Sequence, residues 1–223
     1  VGGNGQLFHD AVVSGKTICG PVIASAIEKA LKMGESNACM KRIVAAPTAG
    51  ACGVVPAVYL TLQEQRQIDD ERMLEAMYIA SGVGGVIANR AFLAGAAGGC
   101  QAEIGSASSM AAAGAVYLAG GDTEAIIHAA AMAMKNLLGL ACDPVAGLVE
   151  VPCVKRNVVG AVNALSAADM ALAGVRSIIP PDEVFDAMRS VGISLPEAIR
   201  ETGKGGLAAT TTGQKIAQEL QHE

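Results

Sequence analysis

The chain has 223 residues, 21 acidic against 16 basic, for a formal net charge of -5, and its lysines and arginines are scattered along the chain with no run longer than two. It therefore offers no basic footprint for nucleic acid, and with 3% aromatic residues and no tryptophan it has few surfaces on which bases could stack. Its length suits one substantial domain over residues 1–223, able to bury roughly 70% of its unfolded surface.

From Val1 onward there is neither the basic start nor the apolar run of a secretory leader, and the missing initiator methionine suggests a chain that begins inside a longer precursor. Helical periods then dominate. Ile23, Ile27, Ala30 and Leu31 form an apolar face that predicts a helix over 23–33, stopping at Gly34. Ser36 or Asn37 is placed to cap a short helix carrying Met40 and Ile43 before Pro47. After the loop Pro47-Thr48-Ala49-Gly50-Ala51-Cys52-Gly53, a helix is expected over about 55–67, and a longer one capped by Asp69 or Asp70 runs through Ile87. The glycine-rich stretch from Ala94 to Gly99 is a break. Further helices are expected over 103–119, from Asp122 to Gly139, from an Asn157 cap to about Leu172, and from Pro181 to near Gly192. Ser194-Leu195-Pro196-Glu197 has the form of another helix start, and a last helix fills roughly 213–220. No convincing strand is found, so the expected fold class is all-α: a helical domain of alanine- and glycine-rich helices with cysteine-bearing loops.

A hydrophobic content of 52% raises the question of a membrane. One uncharged run, Ile104 to Gly121, approaches the length of a bilayer span. It consists mostly of alanine, glycine and serine, with too few Leu, Ile, Phe and Val to favour insertion, and is read as a tightly packed core helix. The six cysteines lack the density and regularity of a secreted disulfide scaffold. Reduced thiols in a cytoplasm suit them better.

Cys100, Cys142 and Cys153 each stand in a segment broken by glycine or proline. Three thiolates can hold three corners of an iron–sulfur cube and leave one iron open to bind and activate a substrate. Zinc is the alternative, although structural zinc sites usually show four ligands in short pairs, and no Cys-x-x-Cys or nearby histidine pair occurs. Cys19, Cys39 and Cys52 read as ordinary small side chains, with Cys52 set apart by its place in the Pro47 loop. His9 and His222 near the ends and His128 in an apolar helical run read as satisfied surface or core residues. Four glycine loops, 47–53, 95–103, 142–153 and 202–206, could bring backbone amides close to an anionic ligand. For each loop alone, helix termination and close packing would account for the glycines.

The strings Ala46-Pro47-Thr48-Ala49-Gly50, Gly99-Cys100-Gln101-Ala102-Glu103-Ile104-Gly105-Ser106, Cys142-Asp143-Pro144-Val145-Ala146-Gly147-Leu148-Val149-Glu150-Val151-Pro152-Cys153 and Arg200-Glu201-Thr202-Gly203 together resemble the iron–sulfur-dependent bacterial L-serine dehydratase family. Within it, nearly the whole chain resembles the separate α chain of the two-subunit form, and the spacings between the three cysteines match those the family uses for its cluster. The resemblance implies a 4Fe-4S cluster held by Cys100, Cys142 and Cys153, L-serine as substrate and a β chain as partner, while composition argues against nucleic acid and membrane. It also implies water loss from serine to give pyruvate and ammonia in the cytoplasm.

Hydroxide is a poor leaving group, so the elimination calls for a Lewis acid on the serine oxygen and a base at the α-proton. Amides of the first loop, with the Thr48 hydroxyl, could hold the substrate carboxylate, which makes Pro47, Thr48, Ala49 and Gly50 candidate binding residues. Lys155 and Arg156 would then be no more than a solvated helix start. The resemblance implies a histidine base from a Ser-Ser-Ser-His-Thr segment of the β portion, and no such string occurs here. The chain departs from the family twice: it ends Leu220-Gln221-His222-Glu223 where single-chain members end in a cysteine, and Asn89 to Gly95 lacks the hydroxyl side chains of many relatives. A non-catalytic helical subunit binding zinc or a cluster, and a pyridoxal-phosphate enzyme using Lys204, are the competing readings.

Overall fold

Alanine, glycine and serine fill the middle of the chain, and their small side chains set how closely its helices approach. The computed structural model describes residues 2–221, leaving the expectations on His222 and Glu223 outside the described residues. Its helices are α1 (Asn4–Val13), α2 (Gly20–Ala38), α3 (Val54–Arg66), α4 (Asp70–Arg90), the one-turn α5 (Gly95–Gly98), α6 (Ser106–Leu118), α7 (Thr123–Lys135), α8 (Cys153–Leu172), α9 (Pro181–Ser194) and α10 (Thr211–Gln221). The fold is all-α. Among the described residues there is no strand, only an isolated bridge between Cys142 and Arg200.

α6 is the centre of the molecule. Every residue of it except Tyr117 is buried, and α3, α4, α7 and α8 pack around it. Its glycine is required by a neighbour, because a Cβ at Gly114 would fall on the Tyr59 hydroxyl. Two of its three serines bond outward: Ser108 Oγ donates to Gly160 O of α8 at 2.8 Å and accepts from Asn163 Nδ2 at 2.9 Å, while Ser109 Oγ donates to Ala130 O of α7. A buried hydroxyl with a partner contributes to specificity, whereas one left bare is costly. The uncharged run over 104–121 is thus a core helix, and no described helix is long and apolar enough to cross a membrane.

The predicted caps at Asp69 and Asp122 are formed, accepting from Arg72 N and Ala125 N at 2.8 Å each. Other expectations need correction. α2 does not stop at Gly34 but continues to Ala38, and Gly34 instead lets α8 come close: a Cβ there would meet Val154 Cα at 3.2 Å. The short helix carrying Met40 and Ile43 is not formed, because its supposed caps belong to the last turns of α2. Ser36 Oγ bonds back to Lys32 O, and Asn37 Nδ2 donates to Ala49 O. Ser194-Leu195-Pro196-Glu197 opens only a single 3-10 turn, Glu197–Ile199. Asn157 caps nothing, since α8 already begins at Cys153.

Candidate active site

Four stretches far apart in sequence meet at one place: the 47–53 loop, the α5 turn with the residues after it, the 142–153 loop, and Arg200-Glu201. Cys100 ends the α5 turn at Gly99, whose φ of 76° suits glycine. A π-helical turn, Gln101–Gly105, follows and runs into α6. Such turns are frequent at functional sites. Gln101 is fully buried and fixes this segment: its Nε2 donates to Met188 O at 3.0 Å, and its Oε1 accepts from Gly139 N at 2.8 Å. Cys142 is held by the isolated bridge, donating its N–H to Ile199 O (2.9 Å) and accepting from Glu201 N (2.7 Å). Cys153 is the first residue of α8.

The three thiols are buried and sense one another. Cys142 donates a hydrogen bond to Cys100, which lowers the Cys100 pKa below the ordinary thiol value, helped by the Arg156 guanidinium; the same bond, with burial, pushes Cys142 strongly up. Burial, with the negative charge of Cys100 and Glu103, raises Cys153 to about 12. Arg156 is not a solvated helix-start cation: it pairs with the buried Asp143 at 2.8 Å and donates to Ala141 O at 2.6 Å. Asp143 in turn accepts from Leu207 N at 2.8 Å, fastening the cysteine loop to the C-terminal segment.

Two residues that the sequence reading did not place at the site shape it. Asn157, inside α8, accepts from Gly53 N and donates to the carbonyls of Gly50 and Cys153, each at 2.8 Å, tying the first loop to the Cys153 helix. Glu103 lies between the loop and the thiols. Its carboxylate oxygens stand 3.0 Å from where a Cβ would sit on Gly50, and Oε2 is 3.0 Å from the same position on Gly95. That second point also lies 2.8 Å from Cys142 Sγ and 3.3 Å from Glu201 Oε2. Glycine at 50 and 95 therefore keeps carbon out of a pocket walled by sulfur and carboxylate. Burial raises the Glu103 pKa, the approach of the Thr48 hydroxyl offsets part of that, and the Glu201 charge raises it again.

Of the first-loop candidates, Thr48 directs its buried Oγ1 toward Glu103 without a hydrogen bond of ordinary geometry. Among the described residues, the N–H groups of Thr48, Ala49 and Gly50 donate to no protein acceptor. Pro47 and Gly50 are half-buried and Ala49 is exposed.

The remaining candidates lie elsewhere. Cys19 and Cys39 are exposed, and Cys52 approaches Met33 O, its thiol pushed up to about 11 by burial. His9 contacts Glu28 at 3.0 Å, while His128 accepts from Ser177 N at 3.2 Å and lies 3.7 Å from Glu124. Lys204 pairs with Glu197 at 2.8 Å, and its loop helps to line an open cleft of about 1030 Å3 whose walls hold none of the three thiols.

Among the described residues no group of three or more His, Cys, Asp or Glu side chains is gathered as a ligand set for a single metal ion. A cube spreads its cysteines over different irons, so three thiolates serving it do not meet at one point. Soft donors from three separate segments, buried together beside a wall free of Cβ atoms, fit such a group.

A family model described as "Serine dehydratase alpha chain" matches residues 2–208. The chain is 52% identical over 219 residues to the probable L-serine dehydratase, alpha chain, of Bacillus subtilis (strain 168), covering 98% of this chain and 73% of that relative. It is 55% identical over 199 residues to the probable L-serine dehydratase, alpha chain, of Latilactobacillus sakei, covering 89% and 95%. Against the L-serine dehydratase, alpha chain, of Peptoniphilus asaccharolyticus the identity is 48% over 223 residues, covering 100% and 76%.

Proposed function

The chain belongs to the serine dehydratase alpha chain family, and from that premise we propose that it is the cluster-bearing α subunit of a 4Fe-4S-dependent L-serine ammonia-lyase of the cytoplasm, completed by a β chain. The observation that carries this reading is the meeting of Cys100, Cys142 and Cys153 from three separate segments in one buried pocket. These three residues would hold the cluster, which when bound supplies a Lewis acid for the departing hydroxyl.

The chain's own residues supply the rest. The unengaged amides of Thr48, Ala49 and Gly50, with the Thr48 hydroxyl, hold the substrate carboxylate beside the thiols, as orphan backbone donors commonly do for anions. Asn157 keeps that loop against α8 while substrate enters and leaves. Arg156, fixed by Asp143, sets a positive charge beside Cys100 and favours its thiolate form. The α-proton passes to a base on the β chain, since the described histidines of this chain are engaged with Glu28, Ser177 and Glu124. Loss of that proton and of the β-hydroxyl, which leaves as water, gives aminoacrylate, which tautomerises and hydrolyses to pyruvate and ammonia.

Anaerobic reconstitution with iron and sulfide tests the assignment. Broad visible absorption that bleaches in air is expected, with Cys100→Ala, Cys142→Ala and Cys153→Ala each losing it while Cys19→Ala and Cys39→Ala keep it. Full iron content in any of the first three variants removes that residue from the ligand set. A zinc-loaded, colourless protein would support the non-catalytic reading, and a borohydride-sensitive band would support pyridoxal phosphate.

A further inference from the structure

The pocket beside the three thiols is lined by two carboxyl groups. Glu103 and Glu201 both direct a carboxylate oxygen to the space in front of Gly95, where Cys142 Sγ also points. Arg156, the cation that approaches the thiols among the described residues, already has Asp143 as its partner. Neither Glu103 nor Glu201 forms an ion pair with a lysine, arginine or histidine among the described residues. Glu201 is exposed, but Glu103 is half-buried, and taking its carboxylate from water is costly unless a counter-charge or a proton compensates it.

A second observation points into the same space. Thr48 Oγ1 is fully buried, aimed at Glu103, and makes no hydrogen bond of ordinary geometry. A buried hydroxyl whose one polar neighbour, Glu103, lies outside ordinary hydrogen-bond geometry fits a position completed by a ligand. Glu201 is held there by the bond from its N–H to Cys142 O.

We infer that Glu103, with Glu201 behind it, is the specificity-determining group for the substrate's α-ammonium. The inference rests on the serine dehydratase reading and deepens it. A 2-amino-3-hydroxy acid presents its carboxylate, hydroxyl and ammonium from adjacent carbons. With the carboxylate on the amides of residues 48–50 and the hydroxyl directed toward the thiols, the ammonium falls on the Glu103 side of the pocket. Glu103 supplies the charge it needs, and the free Thr48 oxygen can accept one of its protons. The residue therefore selects amino acids over hydroxy acids of the same length. It discriminates by charge, which a contact of shape alone could not do.

The test compares L-serine with 3-hydroxypropanoate, which keeps the carboxylate and hydroxyl but lacks the ammonium, on the anaerobically reconstituted enzyme with its β chain. Glu103→Gln preserves shape and removes charge. It is expected to raise the KM for serine on the order of 10- to 100-fold, the loss typical of a hydrogen bond to a charged group, with iron content and visible spectrum unchanged. Inhibition by 3-hydroxypropanoate should stay constant or tighten. Glu103→Asp should recover part of the serine affinity, and the exposed Glu201→Gln should weaken serine in the same sense by less. Equal weakening of both ligands would make Glu103 a structural support and overturn the inference, as would an unchanged KM or a Glu103→Gln protein unable to hold iron. A wild-type enzyme that is active while Glu103→Gln matches it sinks this inference alone. A reconstituted wild type that forms no pyruvate sinks the serine dehydratase reading and the inference with it.

Discussion

Asn157 makes three bonds with one amide, and each serves a different part of the site. Its Oδ1 satisfies the Gly53 N–H at the entry to α3, while its Nδ2 satisfies the Gly50 carbonyl and also reaches Cys153 O. Truncation would leave a buried donor and acceptor without partners, each costing about 1–3 kcal/mol. Asn157→Ala is therefore expected to lower the denaturant midpoint at unchanged m-value, and to slow cluster loading because the first loop comes away from α8. Asn157→Asp, which keeps the acceptor and loses the donor, should fall between the two. A midpoint equal to that of the wild type in Asn157→Ala would show that the loop is held by packing instead.

At the scale of elements, the sequence was informative wherever a signal is local. Asp69 and Asp122 stand directly before apolar periods and bond to amides three residues on, so their helix starts could be read at once. The cysteine loops stood out for a similar reason, since glycine and proline break the helical period around them. Asn157 was misread because an asparagine before an apolar run has the same local signature as a cap, whereas its partners in the first loop lie 104 and 107 residues away in sequence. Gly34 was misread likewise: a glycine that admits another backbone looks in sequence like one that ends a helix. The role of Glu103 was hidden because nothing local says that Gly50, Gly95 and Cys142 surround it. The attachment of α1 to α2 gives a test at this scale. Burial works against ionised Glu35, but bonds from the Asn4 side chain (2.7 Å) and the Asn4 and Gly5 N–H groups (2.6 and 3.1 Å) outweigh it and lower its pKa. A carboxylate with a depressed folded value contributes stability that is present above its unfolded value, about 4.3, and lost as pH falls through the folded one. Amide-exchange protection of α1, corrected for intrinsic rate, should thus fall below about pH 4 before that of α6, and Glu35→Gln should show the weakened state already at neutral pH. If protection in α1 and α6 declines together, α1 is held by its apolar face and not by Glu35.

For the molecule as a whole, the four site-forming stretches come together at the turn that leads into α6, yet the chemistry they offer is one-sided. They supply soft ligands, free amides and carboxylates, all suited to holding a cluster and an amino acid. A general base must reach its proton within hydrogen-bond distance, directly or through one water. His9 is occupied on the α1–α2 surface by Glu28, and His128 in α7 is turned to Ser177 and Glu124, so neither is available at the thiols. Glu103 is committed by the argument above to the substrate's ammonium, and a carboxylate that neutralises a cation is a poor acceptor for a carbon acid. On the proposed reading, the α-proton then leaves toward a surface that the described histidines of this chain do not line. Anaerobic assay of the reconstituted chain, with and without a β chain carrying the Ser-Ser-Ser-His-Thr segment, is expected to give pyruvate only in the combined sample, while serine shifts the visible spectrum of the α chain by itself. Equal pyruvate from both samples would put the base within these 223 residues, and Glu201, exposed and facing the same pocket, would be the first residue to replace.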